Sequence, residues 1–133
     1  MRRRKLDPAI GEQTAQIRAH VKAQLFERDI FCRGCGDLIQ IANCHMHEGM
    51  ISRGDVQGWP RERRHLIFSV YNCTLLCSAC NTGMEGKSAP DRRLIFDEQF
   101  AIYGAPMIDW LIALPFKHRP AWLTAKLKSF GVY

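Results

Sequence analysis

The sequence predicts an α+β fold in one domain: a zinc-braced core of two β-strands and a short helix, with further helices before and after it. Three observations carry this expectation. CRGCG at residues 32–36 and CSACN at residues 77–81 set two CxxC pairs on separate tight turns. Each turn offers two thiolates, so the two together supply the tetrahedral four-cysteine set that neither completes alone. Between the pairs lie two runs with strand-type residues, 38–46 and 66–76, and on both flanks apolar residues recur at helical spacing.

A chain of 133 residues suits one domain spanning 1–133. Its core is modest, so a structural metal would add materially to stability. Six cysteines would also fit three disulfides. The opening MRRRKLDP, however, is charged with no apolar run behind it, unlike a secretory signal, and no apolar stretch is long enough to span a membrane. The spacing therefore points to zinc in a reducing cytoplasm, bound by Cys32, Cys35, Cys77 and Cys80. Cys44 and Cys73 are left over as free thiols, either of which could pack as a small hydrophobe. The net charge of +6 and pI of about 9.2 suit a polyanionic partner, and equally a basic solvated surface.

Taken in order, residues 1–5 are a basic tail (Arg2, Arg3, Arg4, Lys5), read as a solvated terminus or a phosphate contact. Pro8 begins a helix to about Glu27, with Ile10, Ile17, Val21, Leu25 and Phe26 on one stripe. His20 lies near that stripe with no role assigned. Gly34 and Gly36 allow the positive φ a metal-binding turn requires. In the strand over 38–46 and its continuation, alternation turns His45 and His47 to one face and Met46 and Glu48 to the other. Residues 49–65 are broken by Gly49, Gly54, Gly58 and Pro60 and made basic by Arg53, Arg61, Arg63 and Arg64. This loop reads as a DNA clamp with Trp59 available for sugar or base contact, or as a solvated loop with Trp59 packed as a lid. After the second strand comes a short helix at CSACN, then loop residues 82–90. Three helices close the chain: 91–103 stopped by Gly104, 107–114 ended by Pro115, and 120–130 with Trp122, Leu123 and Leu127 inward.

The order CxxCG, then His-Glu in a short hydrophobic segment, then Asn, then LCxxC and one more polar residue resembles the HNH endonucleases. It looks most like the small phage-type members whose ββα-metal site is braced by a four-cysteine zinc knuckle. The motif covers residues 32–81, and RDIFCRGCG and IYGAPMIDWLIALP look like family flanks. The resemblance implies a treble-clef-like core over 31–86, an N-terminal tail and helix over 1–30, and C-terminal helices over 90–133.

It also implies a DNA phosphodiester hydrolase in a bacterial cytoplasm, phage or prophage encoded, with DNA and phage packaging proteins as partners. In that family a first-strand histidine takes the proton from water, and residues beside it and on the helix hold a divalent metal. Asn72 takes the place of the residue that bonds the loop backbone and orients the histidine. Asn81 stands where the helix-borne ligand is commonly His, an HNN variant whose amide oxygen suits Mg²⁺ or Mn²⁺. His47-Glu48 leaves two assignments open. Either His47 is a metal ligand and Glu48 the base, or His47 is the base and His45 assists the metal. The rival readings are a zinc-knuckle DNA-binding module without catalysis, and a protein-interaction domain using the C-terminal helices.

Overall fold

The structure, a computed structural model, describes residues 8–133. The basic tail and the side chain of Ile10 lie outside that description. Helix α1, Pro8–Arg28, opens on proline, whose fixed φ and missing N–H suit a first helical position. Val21 and Leu25, one turn apart, are buried against Cys73 and Leu75, with Ile17 and Phe26 at the margin of the same cluster. The predicted stripe is therefore the packing face.

Strands β1, Cys44–Glu48, and β2, Cys73–Cys77, form a two-stranded antiparallel sheet in which Cys44 faces Cys77, His47 faces Thr74 and Glu48 faces Cys73. Helix α2, Ser78–Thr82, follows β2 directly and ends at Gly83, whose φ of 73° is the left-handed cap that stops a helix. Helices α3, Arg92–Tyr103, α4, Ala105–Ala113, and α5, Ala121–Ser129, complete the chain. The fold is thus mixed helix with a small antiparallel sheet. Among the described residues no helix is long and apolar enough to cross a membrane.

Both strands are shorter than the sequence predicts, for different reasons. Residues 38–43 do not extend β1: Leu38 forms only an isolated bridge with Phe31, and Ile41–Asn43 is a turn of 3-10 helix. The bridge closes the first cysteine turn, and Leu38 and Ile41 stay exposed at 61% and 81%, so no burial rewards extending the sheet. Residues 66–72 also leave the sheet. Arg61–Ile67 is 3-10 helix, and Ile67 is buried among the C-terminal helices with Leu66 and Phe68 packed nearby. The carbonyls beyond it find partners in side chains instead of a neighbouring strand. Val70 O accepts from Arg28 and Gln99, Tyr71 O from Gln99, and the amides of Asn72 and Cys73 both donate to Ser69 O. With the backbone groups satisfied in this way, β propensity alone does not hold a strand.

The C-terminal helices form as predicted, with altered faces. Asp91 caps α3 by accepting from Arg93 N at 2.8 Å. Ile95, Phe96 and Gln99 are its buried residues, while Leu94 and Ile102 face outward. On α5, Leu123 and Leu127 are fully buried and Trp122 half-buried.

One buried carboxylate joins these parts. Asp29, with a fully buried side chain, accepts from Arg28 at 2.6 and 2.8 Å, from Arg33 at 2.9 Å, and from Leu75 N at 3.0 Å. Arg28 in turn donates to Val70 O, Cys73 O and the Tyr103 hydroxyl. The end of α1, the first cysteine turn, β2 and α3 thereby meet at one ion cluster. Burial pushes the Asp29 carboxyl up, but the Arg28 guanidinium and the other donors outweigh it and hold the carboxyl below its ordinary range. A depressed folded-state pKa means this stabilisation is complete above the ordinary carboxylate range and is lost as pH falls below it.

Removing the carboxylate leaves two part-buried guanidinium groups short of their counter-charge. Asp29→Ala is expected to cost about 3–5 kcal/mol in urea unfolding at neutral pH. The loss should shrink as pH falls from about 4 through the lowered pKa of the folded Asp29 carboxyl.

Candidate functional site

The Sγ atoms of Cys32, Cys35, Cys77 and Cys80 lie within 4.8 Å of one another. Sγ of Cys35 and Cys77 are 3.8 Å apart, about the edge of a tetrahedron with the roughly 2.3 Å legs of zinc–thiolate bonds. The sequence positions the cluster through its glycines. Gly36 turns the chain at φ 81°, and a Cβ on Gly34 would come within 2.7 Å of Cys80 Sγ. Burial pushes the Cys32 thiol up, but N–H groups of Cys77, Cys35 and Gly34 bring it down to about 7, favouring the thiolate a metal requires. The cluster can therefore hold a metal ion such as zinc. The two remaining cysteines, Cys44 and Cys73, are buried outside it, and burial raises the Cys73 thiol to about 12.

Asn72 is fully buried and uses its whole amide. Its Oδ1 accepts from Met50 N at 3.0 Å and Ile51 N at 2.8 Å. Its Nδ2 donates to Ile51 O at 2.8 Å and Ile67 O at 2.9 Å. One side chain thus fixes both ends of the loop between β1 and β2. It reaches the loop backbone and makes no approach to an open surface.

A cavity of about 500 Å³ opens beside β1. One wall is α1, through Ala15, Arg18, Ala19 and Lys22; facing it are His45, Met46 and Glu48 of β1, with Asn81 of α2 and Arg53 of the loop. Having β2 on one side only, β1 leaves its other edge open, and the cavity takes residues from both faces of that edge. His45 Nε2 lies 3.2 Å from Ser78 Oγ, which donates to Asn43 O at 3.4 Å. In the tautomer that donates from Nε2 to Ser78 Oγ, the Nδ1 lone pair is free. Glu48, with 14% of its side chain exposed, is ion-paired to Arg53 Nε at 3.2 Å.

His47 does not line this cavity. It is half-buried opposite Thr74, and burial lowers its pKa, with the charge of Arg92 adding to the effect and Glu48 opposing it. The imidazole is therefore neutral at pH 7. Arg92 bonds Asp55 at 2.8 Å, and Asp55 caps Ser52 at the start of the loop's first turn.

The basic loop divides into structural and solvent-facing residues. Trp59 is only 4% exposed and packs edge-on against Phe116, ring centroids 4.9 Å apart, so it is a core residue unable to meet a sugar or base. Its indole follows Val56 and Ile67 into the C-terminal-helix cluster, where burial of a large ring outweighs surface recognition. Arg64 donates to Gln57 O at 2.7 Å and Trp59 O at 3.3 Å, closing the loop on itself. Arg63 is exposed and Arg61 half-exposed, and neither is among the cavity residues. Of the predicted clamp, Arg53 alone reaches the cavity.

Arg18 and Lys22 were not expected at the cavity, since on α1 they flank the apolar stripe and resemble ordinary solvated cations. A four-residue spacing of cations beside two alanines was their only signal. The chain matches no known protein family, no curated protein and no solved structure, and its site is read from its own geometry.

Two outcomes follow. Purified protein should carry about one zinc per chain by elemental analysis, and Cys77→Ser should carry well under half of that. Asn72→Ala strands three buried backbone groups, Met50 N, Ile51 N and Ile51 O, while Ile67 O keeps Ser69 N; at about 1–3 kcal/mol each, chemical denaturation should show a loss of at least about 3 kcal/mol.

Proposed function

We propose that the protein is a metal-dependent DNA endonuclease of the HNH type, hydrolysing phosphodiester bonds in the cavity beside β1. One observation carries the reading: His45, Glu48 and Asn81 share that cavity with Arg18, Lys22 and Arg53. A proton acceptor, ligands for a hard cation and positive charge are what the reaction demands.

In this reading the zinc is structural, since four cysteine ligands leave no open position for chemistry. The free Nδ1 of His45 and the exposed amide of Asn81 fit a divalent ion such as Mg²⁺ or Mn²⁺ and would hold it there. That ion supplies Lewis-acid polarisation of the scissile phosphate. Glu48 takes the proton of the attacking water. Its partner Arg53 is the side chain an incoming phosphate competes for, and that competition releases the carboxylate. His47, away from the cavity, supports the strand that carries the others, which favours Glu48 over His47 as base. Asn72 acts at one remove, by holding the loop from which Arg53 extends.

A second reading has its own support. Among the described residues the only convergent set of three or more His, Cys, Asp or Glu ligand atoms is the four-cysteine cluster, and Glu48 is occupied by Arg53. Both facts suit a DNA-binding module braced by zinc without catalysis.

A supercoiled-plasmid assay with Mg²⁺ or Mn²⁺ separates them. Wild type should nick the plasmid, and Glu48→Gln and Asn81→Ala should each slow nicking by about 10²-fold or more while retaining zinc. His47→Ala should lose less than either. Intact plasmid after incubation with folded, zinc-loaded wild type and each metal would end the nuclease reading and leave the binding module.

A further inference from the structure

Helix α1 presents two different faces. Val21 and Leu25 point into the fold, while Ala15, Arg18, Ala19 and Lys22 face the cavity. Positions 15, 18, 19 and 22 are one helical stripe, so these four side chains form a continuous wall. The alanines keep the wall low, and Arg18 and Lys22 stand out from it.

Lys22 Nζ sits 6.0 Å from the ring centroid of Phe26, and Phe68 lies beneath Arg18. The Arg18 guanidinium sits 5.2 Å from its ring centroid and that of Arg53 5.7 Å, so one ring holds a cation from the helix and a cation from the loop. Two guanidinium groups on one ring repel each other unless an anion joins them. Glu48 answers Arg53. Among the described residues neither Arg18 nor Lys22 has a carboxylate partner. Among the described residues the cavity lining therefore holds excess positive charge, the three cations Arg18, Lys22 and Arg53 against the one carboxylate of Glu48.

We propose that α1 is the phosphate grip of the site: Arg18 and Lys22 bind the backbone phosphates of a DNA strand, and Phe68 holds Arg18 in register with Arg53 across the cavity. The inference rests on the nuclease reading and moves the main DNA contact from the basic loop of residues 49–65 to the N-terminal helix. Arg and Lys on phosphates position a strand without reading its sequence. The grip is accordingly sequence-independent.

The test uses full-length, zinc-loaded protein and a fluorescent duplex oligonucleotide of mixed sequence, titrated over a range of salt without added Mg²⁺ or Mn²⁺. Arg18→Ala/Lys22→Ala introduces the best helix former at both positions, so α1 should persist by circular dichroism. Loss of two phosphate contacts should lower the slope of log affinity against log salt by about 1.8 and weaken binding about 60-fold at 0.1 M salt. Lys117→Ala/Lys128→Ala removes the same charge from residues outside the cavity and should change affinity by no more than about threefold. A cavity variant with wild-type affinity and slope, or an equal loss in the control, overturns the grip while leaving the nuclease reading standing. Wild type with no salt-dependent DNA binding overturns both.

Discussion

The buried amide of Asn72 decides where the long excursion between the two strands goes. Two donors and two acceptors of one side chain answer four backbone groups from residues 50, 51 and 67, far apart in sequence and all inside the protein. An irregular segment is normally confined to the surface because its peptide groups need water. Here a side chain substitutes for water, and the segment can bury Met50, Ile51, Val56, Trp59 and Ile67 in the same core as the C-terminal helices. The loop is part of the fold's interior, with its arginines left at the margin.

A second polar centre does for the helices what Asn72 does for the loop. Asp29 and Arg28 leave the end of α1 attached to β2 and α3 by charge-assisted hydrogen bonds, and Arg33 carries the connection onward to Glu98. Buried charges of this kind are costly to desolvate and are weak stabilisers compared with apolar packing. What they supply is direction. The cluster fixes the end of α1 from which its cationic stripe runs back along the cavity.

The three polar devices have separate duties. The cysteine cluster ties the first turn to the start of α2, Asn72 fixes the loop that carries Arg53, and the Asp29 cluster orients the helix that carries Arg18 and Lys22. His45, Glu48 and Asn81 line the cavity where that loop, through Arg53, and that helix, through Arg18 and Lys22, meet. A small hydrophobic core would not by itself specify that meeting point, since apolar contacts are non-directional.

The sequence by itself determined the two cysteine turns and the presence of two strands and five helices, because each is local, and it marked out Asn72 only through the resemblance. A CxxC turn, a helical stripe, a proline start or a glycine stop is set by neighbours in the chain. It left open, or misjudged, whatever depends on who else supplies a hydrogen bond or a surface. Residues 66–72 have strand propensity, yet Arg28 and Gln99 take their carbonyls. Trp59 lies in a basic loop, yet the C-terminal helices offer its ring a buried place. His45 and His47 share a face by alternation, yet the open edge of β1 admits His45 and Glu48 to the cavity and leaves His47 out. The cations on α1 joined the site only when the helix was docked. Tertiary structure decided these matters because burial and hydrogen-bond partnership belong to pairs of segments, and no single segment's sequence contains its partner.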